Sequence, residues 1–233
     1  MKFRVPLIFL AGICWVVLVG VNPVYAFMGD YKSLTGNDMA FIGGFKSTEI
    51  SYDVENSNNE ADIERKVLSV GISKTMNSNL KVYGVFNYVM DGDIDDTSYE
   101  SDSGYSLSGG AGYTFFKQNN ISVSGFGQLD YILKDDWEGD GSASLSITGY
   151  ELLGGVMGKY HLNPNVSIFA SAIVAPFSDI TADPESGSDI DFEREDMFGL
   201  QAGVIYDKDT WFVRGEFDIG MESGFGVSGG YKF

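Results

Sequence analysis

The chain has one cysteine, one histidine and five prolines, and its 15 basic residues face 33 acidic ones. Each shortage removes a class of function. A single thiol, Cys14, can form neither an internal disulfide nor a thiolate metal site. A single imidazole, His161, leaves little for histidine-based catalysis or metal binding. The formal charge of -18 argues against a nucleic-acid partner, because phosphate binding needs clustered Lys and Arg. Beyond residue 26 no segment holds a helical period, and no repeat is evident apart from a hairpin rhythm. At 233 residues the chain makes one domain or at most two.

Residues 1–26 read as a secretory signal peptide. Lys2 and Arg4 form its charged start, Leu7 to Val21 its apolar run, and Val24-Tyr25-Ala26 a cleavage site. An uncleaved membrane helix is the alternative, but Pro6 and Pro23 bracket the run and no basic stop-transfer cluster follows. Cleavage removes Cys14 and two basic residues, which takes the mature charge to -20. An exported domain without disulfides needs another way to hold together, and a closed hydrogen-bonded barrel supplies one.

What the chain does have is glycine, 30 residues of it, and a recurring alternation of polarity. After a polar lead over 27–39, the segment 40–233 divides into ten expected strands. Gly104–Phe116 alternates most cleanly, with Tyr105, Leu107, Ala111, Tyr113 and Phe115 on one face and Ser106, Ser108, Gly110 and Gly112 on the other. The first strand, 48–54, has Ile50, Tyr52 and Val54 on one face. The sixth, 143–160, changes parity between Leu145/Ile147 and Tyr150/Leu152/Val156, which predicts a β-bulge near Thr148-Gly149. The last strand presents Phe225, Val227, Tyr231 and Phe233 to one face, with Gly, Ser and Lys opposite. Ten such segments predict a closed, antiparallel, up-and-down transmembrane β-barrel, with eight strands as the alternative if the first hairpin is lost.

The connections are sorted. Those after strands one, three, five and seven are long and acidic, and those after strands two, four, six and eight are short and built from Asn, Asp, Lys and Pro. The windows 53–64, 90–102, 134–142 and 179–196 hold 23 of the 33 acids. A soluble sandwich has no reason to sort loops this way, whereas an outer-membrane barrel sets short periplasmic turns against longer surface loops. Tyr and Trp residues such as Tyr88, Tyr105, Tyr131, Tyr150, Tyr206 and Trp211 fall near strand ends, where a lipid boundary would place them.

In these features the chain resembles the small outer-membrane β-barrels of Gram-negative bacteria, of the OmpA-barrel, OmpX and opacity-protein kind. The resemblance covers about 40–233 and is sharpest at the strand ending in Phe233. It implies that Phe225, Val227, Tyr231 and Phe233 are read as a signal by the outer-membrane barrel assembly machinery. It also implies that lipid and lipopolysaccharide surround the barrel.

The expected lumen carries both signs of charge: Glu49, Arg65, Lys81, Asp130, Glu151, Lys159, Arg214, Glu216 and Asp218. A barrel of this size is just wide enough for such side chains to fill. Asp91, Asp93, Asp95 and Asp102 fall at the first, third, fifth and twelfth positions of an EF-hand-like loop. Asp96 stands where its turn glycine belongs, so any Ca²⁺ or Mg²⁺ bound there would be held weakly, and no other cofactor is expected. His161 falls in a short turn beside Asn163-Pro164, unlike a catalytic residue of the protease or lipid A deacylase barrels. The expected role is therefore non-enzymatic: a structural or surface-interaction protein acting through acidic external loops. A narrow cation-preferring channel is the alternative, and an outer-membrane enzyme comes third.

Overall fold

The computed structural model describes residues 39–54, 60–94, 100–139, 144–185 and 189–233. The signal segment 1–26, Cys14 and most of the lead lie outside the described residues. Among the described residues, eleven strands form one antiparallel sheet: β1 (Met39–Val54), β2 (Glu60–Thr75), β3 (Leu80–Ile94), β4 (Glu100–Gln118), β5 (Ile121–Glu138), β6 (Ser144–His161), β7 (Val166–Pro184), β8 (Ile190–Arg194), β9 (Phe198–Lys208), β10 (Trp211–Gly220) and β11 (Ser223–Lys232). Ten of them close a ring in chain order, with β8 set aside. β11 returns to β1 through ten paired positions, from Ala40 opposite Lys232 to Glu49 opposite Ser223. Closure leaves no free edge along this seam, which is what a strand protein in lipid requires.

The short turns follow from asparagine chemistry. The side-chain oxygen of Asn77 accepts the amides of Asn79 and Leu80, and that of Asn163 accepts those of Asn165 and Val166. Asn119 takes φ 52°, a left-handed backbone that Asn tolerates.

Strand lengths divide the molecule. β9, β10 and β11 have 10 or 11 residues, about what a tilted strand needs to cross a bilayer. β1 to β7 run to between 15 and 19 and overshoot on the side away from the short turns. Strand β8 fills the gap that the three short strands leave there. Its Ile190, Asp191 and Phe192 pair with β7, and its Phe192, Glu193 and Arg194 pair with β1. A second ring of eight strands therefore stands on the ring of ten; we call it the collar. Much of what the sequence suggests to be acidic loop, within 90–102, 134–142 and 179–196, is hydrogen-bonded strand.

The polarity of the wall inverts between the two rings. In the lower ring apolar side chains point out: Phe41, Val70, Leu129, Leu152, Ile168 and Phe217 are all exposed. In the collar they point in. Tyr52, Ile63, Trp137, Ile147, Ala182 and Phe192 form a buried cluster, and acidic residues such as Asp93, Glu138 and Asp183 take the outside. This corrects the reading of β6. Leu145 and Ile147 are buried, Tyr150, Leu152 and Val156 are exposed, and every buried residue of the strand keeps one parity. No extra residue is needed within β6; its parity holds while its surroundings change from the collar to the lower ring. The irregularity in this pair lies opposite, between Ile132 and Asp135 of β5, where Gly149 takes φ 152°. A Cβ at Gly149 would stand 2.2 Å from the Asp179 carbonyl oxygen.

Inside the lower ring, rings lie flat on glycines. A Cβ at Gly110 would meet Tyr83, one at Gly155 would meet Phe126, one at Gly203 would meet Phe169, and one at Gly230 would meet Phe212. These rings and Ile42, Met157, Ile173 and Met221 make a second apolar cluster. The lumen is thus packed as a core in two apolar layers.

Candidate functional site

Charged side chains lie between the two apolar clusters. Arg214 Nε sits 2.6 Å from Glu216 Oε2, and its terminal nitrogen donates to Gln201 Oε1 at 2.6 Å. Gln201 donates to Asp218 Oδ1 (2.9 Å), and Asp218 pairs with Lys46 (3.1 Å). Lys46 also pairs with Glu222, which faces Arg194 at 3.4 Å. Arg194 grips Glu151 with two nitrogens, at 2.7 and 3.0 Å, and Ser178 donates to the same carboxylate at 3.1 Å. The chain of contacts runs through β10, β9, β1, the β10–β11 tip, β8, β6 and β7. Most of it is fully enclosed, with Arg214 and Lys46 at 0% exposure. Buried charges survive only when compensated, and each charge of this chain faces one of opposite sign.

Arg194 joins the layers. It donates to the Met221 carbonyl of the lower cluster at 2.8 Å and lies 5.8 Å from the Tyr52 ring centroid of the upper one. Burial opposes its charge, but the Glu151 carboxylate overrules burial and holds the guanidinium protonated. Burial likewise pushes the Glu222 carboxyl up, yet Lys46 and Arg194 together bring it below its ordinary 4.5. Against this layer lies a polar cavity of about 70 Å³, lined by Arg65, Asn87, Asp130, Asp135, Glu151 and Glu222. A single water needs about 10–15 Å³, so a few fit.

The sequence-predicted lumen residues land as follows. Arg214, Glu216 and Asp218 lie in the charged chain, and Glu151 joins it from β6. Arg65 pairs with Asp135 at 3.0 Å. Asp130 accepts from Gln128 at 2.7 Å, and Gln128 accepts from the Tyr83 hydroxyl at 2.6 Å. Lys81 shares the parity of the buried Tyr83 at the short-turn end, and Lys159 is buried on β6. Glu49 is the exception. It is exposed on the outer face, because Lys46, Thr48 and Ile50 turn inward and alternation sends Glu49 out.

Sequence reasoning missed Lys46, Arg194, Gln201 and Glu222. Lys46 falls before the expected first strand, Arg194 in a supposed loop and Glu222 in a hairpin tip. Pairing parity with Ile42 and Ile50 was the available signal for Lys46; Arg194 and Glu222 had none.

The EF-hand-like positions do not share one loop. Asp91 and Asp93 are exposed on β3, Asp91 pairs with Lys66, Asp102 falls within β4, and Asp95 lies outside the described residues. Among the described residues no group of three His, Cys, Asp or Glu side chains is arranged to hold a metal ion. His161 sits at the short-turn end, its Nδ1 2.8 Å from the Ser167 hydroxyl.

The outer wall carries aromatics at two levels. Phe41–Phe233 and Tyr206–Trp211 pack near the short turns, at centroid distances of 5.2 and 5.3 Å. Tyr88–Tyr105 and Tyr150–Phe177 pack below the collar at 5.4 and 5.5 Å. Phe225, Tyr231 and Phe233 are exposed and Val227 half-exposed on the same wall. An apolar wall between aromatic bands is the distribution a membrane barrel needs. No family model and no curated protein matches the chain. Among solved structures it is similar to the translocator domain of the autotransporter NalP from Neisseria meningitidis, at TM-score 0.54 and 11% identity over 90% of this chain and 92% of that one. The fold is that of an outer-membrane β-barrel. Weaker similarities are to the outer membrane protease OmpT from Escherichia coli (TM-score 0.49, 7% identity, 88% of this chain and 99% of that one) and to Ail of Yersinia pestis (0.40, 13%, 84% and 99%). Within this barrel fold, seven long strands and β8 build the collar, and three short strands stop below it.

Proposed function

We propose that this barrel is an integral protein of the bacterial outer membrane with a structural and surface-interaction role. Its lumen serves as a core, and its collar stands outside as a rigid acidic surface. The observation that carries the reading is the closure of the collar by β8, with Phe192 and Arg194 turned into the lumen. A barrel built to conduct would keep a polar path through its axis. Here two apolar clusters and a transverse chain of ion pairs fill that axis, which supports a sealed lumen over a cation channel.

In that orientation the short turns and the Phe233 end of β11 would face the periplasm, where the assembly machinery would read that strand. Lipid and lipopolysaccharide are the natural neighbours of the wall. The collar's outward carboxylates, Glu64, Asp93, Glu100, Glu138 and Asp183 among them, favour cationic partners or divalent ions bridging to lipopolysaccharide phosphates.

Purified protein in planar bilayers decides between sealed barrel and channel. The expected record is flat; steady steps favouring K⁺ over Cl⁻ would overturn the sealed reading. Recovery in the outer-membrane fraction with heat-modifiable gel mobility is expected, and a soluble periplasmic monomer would exclude the barrel.

A further inference from the structure

The outer wall is not uniformly convex. Across β10, β11 and β1 to β5 lies a depression of about 1150 Å³, above the roughly 300–1,000 Å³ of a pocket for a drug-sized ligand. Glycines make its floor. Gly43 stands opposite Gly229 across the β1–β11 seam, and Gly84 opposite Gly109 across β3–β4. Packing within the chain does not require glycine at three of these. A Cβ at Gly84 would meet nothing within 4 Å, and one at Gly43 or Gly109 would first meet a backbone oxygen at 3.9 Å. Glycine in a strand interior weakens it and often marks the close approach of something else. Here the missing side chains create a hollow whose sides are hydrocarbon and aromatic.

At the lower edge of the hollow stands a cation. Lys74 lies two residues beyond Ile72 on the same outward face of β2, between Met39 of β1 and Val82 of β3. It is half-buried and, among the described residues, makes no ion pair. The lower aromatics Phe41, Trp211 and Tyr231 line the hollow at the same end. A basic side chain at headgroup depth beneath an apolar hollow is the arrangement that matches an anionic lipid.

We infer that the hollow is a binding groove for a glycerophospholipid of the periplasmic leaflet, its hydrocarbon on the glycine floor and its phosphate at Lys74. A second copy of the chain fits poorly. A two-fold dimer would press the hollow against itself, and two concave surfaces do not interdigitate. The inference rests on the membrane-barrel reading.

The test is native mass spectrometry of the full protein extracted in mild detergent, with heat-modifiable mobility checking that each variant folds. The wild type is expected to retain one phospholipid. Filling the floor with Gly84→Leu and Gly109→Leu abolishes retention. The control Gly158→Leu keeps it, since Gly158 is outward on β6, equally open, and outside the hollow. Lys74→Gln lowers retention of anionic lipid about fivefold in nanodisc exchange, the worth of one basic residue near an anionic surface. A folded wild type without bound phospholipid, retention unchanged in the floor-filled variant, or a dimer in place of the lipid overturns the inference. Recovery of the protein without detergent would instead overturn the membrane reading beneath it.

Discussion

At the scale of single residues, the molecule depends on cations that are enclosed. Arg194 is 5% exposed and faces two carboxylates, so Arg194→Ala leaves Glu151 with the Ser178 hydroxyl but no cation, and Glu222 with Lys46 as its one remaining cation among the described residues. Breaking a buried pair on one side costs about 3–5 kcal/mol. Urea unfolding in liposomes is expected to report a loss of that order, and adding Glu151→Gln should return part of it by removing the stranded charge. An unchanged midpoint for Arg194→Ala would show that the pair is solvated. Glycines under rings make the opposite demand. A Cβ at Gly203 would stand 2.2 Å from the Gly215 carbonyl and 2.6 Å from Phe169, itself held beneath Arg214 at 4.0 Å. Gly203→Ala is therefore expected to destabilise by about 1–3 kcal/mol, as overpacking does. Gly158→Ala, on the open wall, should leave the same unfolding midpoint unmoved.

At the scale of elements, β8 is the piece no periodicity revealed. Five residues are too short for an alternation to register, and their acids, Asp191 and Glu193, read as loop. The ten ring strands were legible because lipid imposes one rule on every outward position. The collar obeys the reverse rule, so Leu145 and Ile147 looked misregistered against Tyr150 and Leu152 when only their surroundings had changed. The charged cluster was legible only where it lay on expected strands, at Arg214, Glu216 and Asp218. Closure by β8 also carries a pH dependence. Glu222, depressed below 4.5 in the folded protein, adds stability that is fully present above that value and is lost as pH falls through its folded value. Hydrogen exchange of the β8 amides, corrected for the intrinsic pH effect, should therefore accelerate below about pH 4.5. Protection that stays level to pH 3 would mean that Glu222 does not hold the strand.

At the scale of the whole molecule, the packed lumen is two seals in series rather than one. The collar cluster around Trp137 and Ile147 closes the outer end, and the cluster around Phe169, Phe212 and Met157 closes the membrane section. The ion-pair chain between them ties seven elements across the bore. Removing the cap should therefore not make a pore. With Phe192→Gly and Arg194→Ala combined, β8 loses both its apolar plug and its grip on Glu151, and its protection from exchange should fall to that of a loop. Planar bilayers containing this variant are nonetheless expected to stay silent, because the lower cluster remains intact beneath it. Cation-selective steps on uncapping alone would mean that the lower layer leaks, and would return the channel reading to the front with β8 as its gate. Silence together with fast exchange would place the barrel among those whose interior is a core and whose activity lies on the outside.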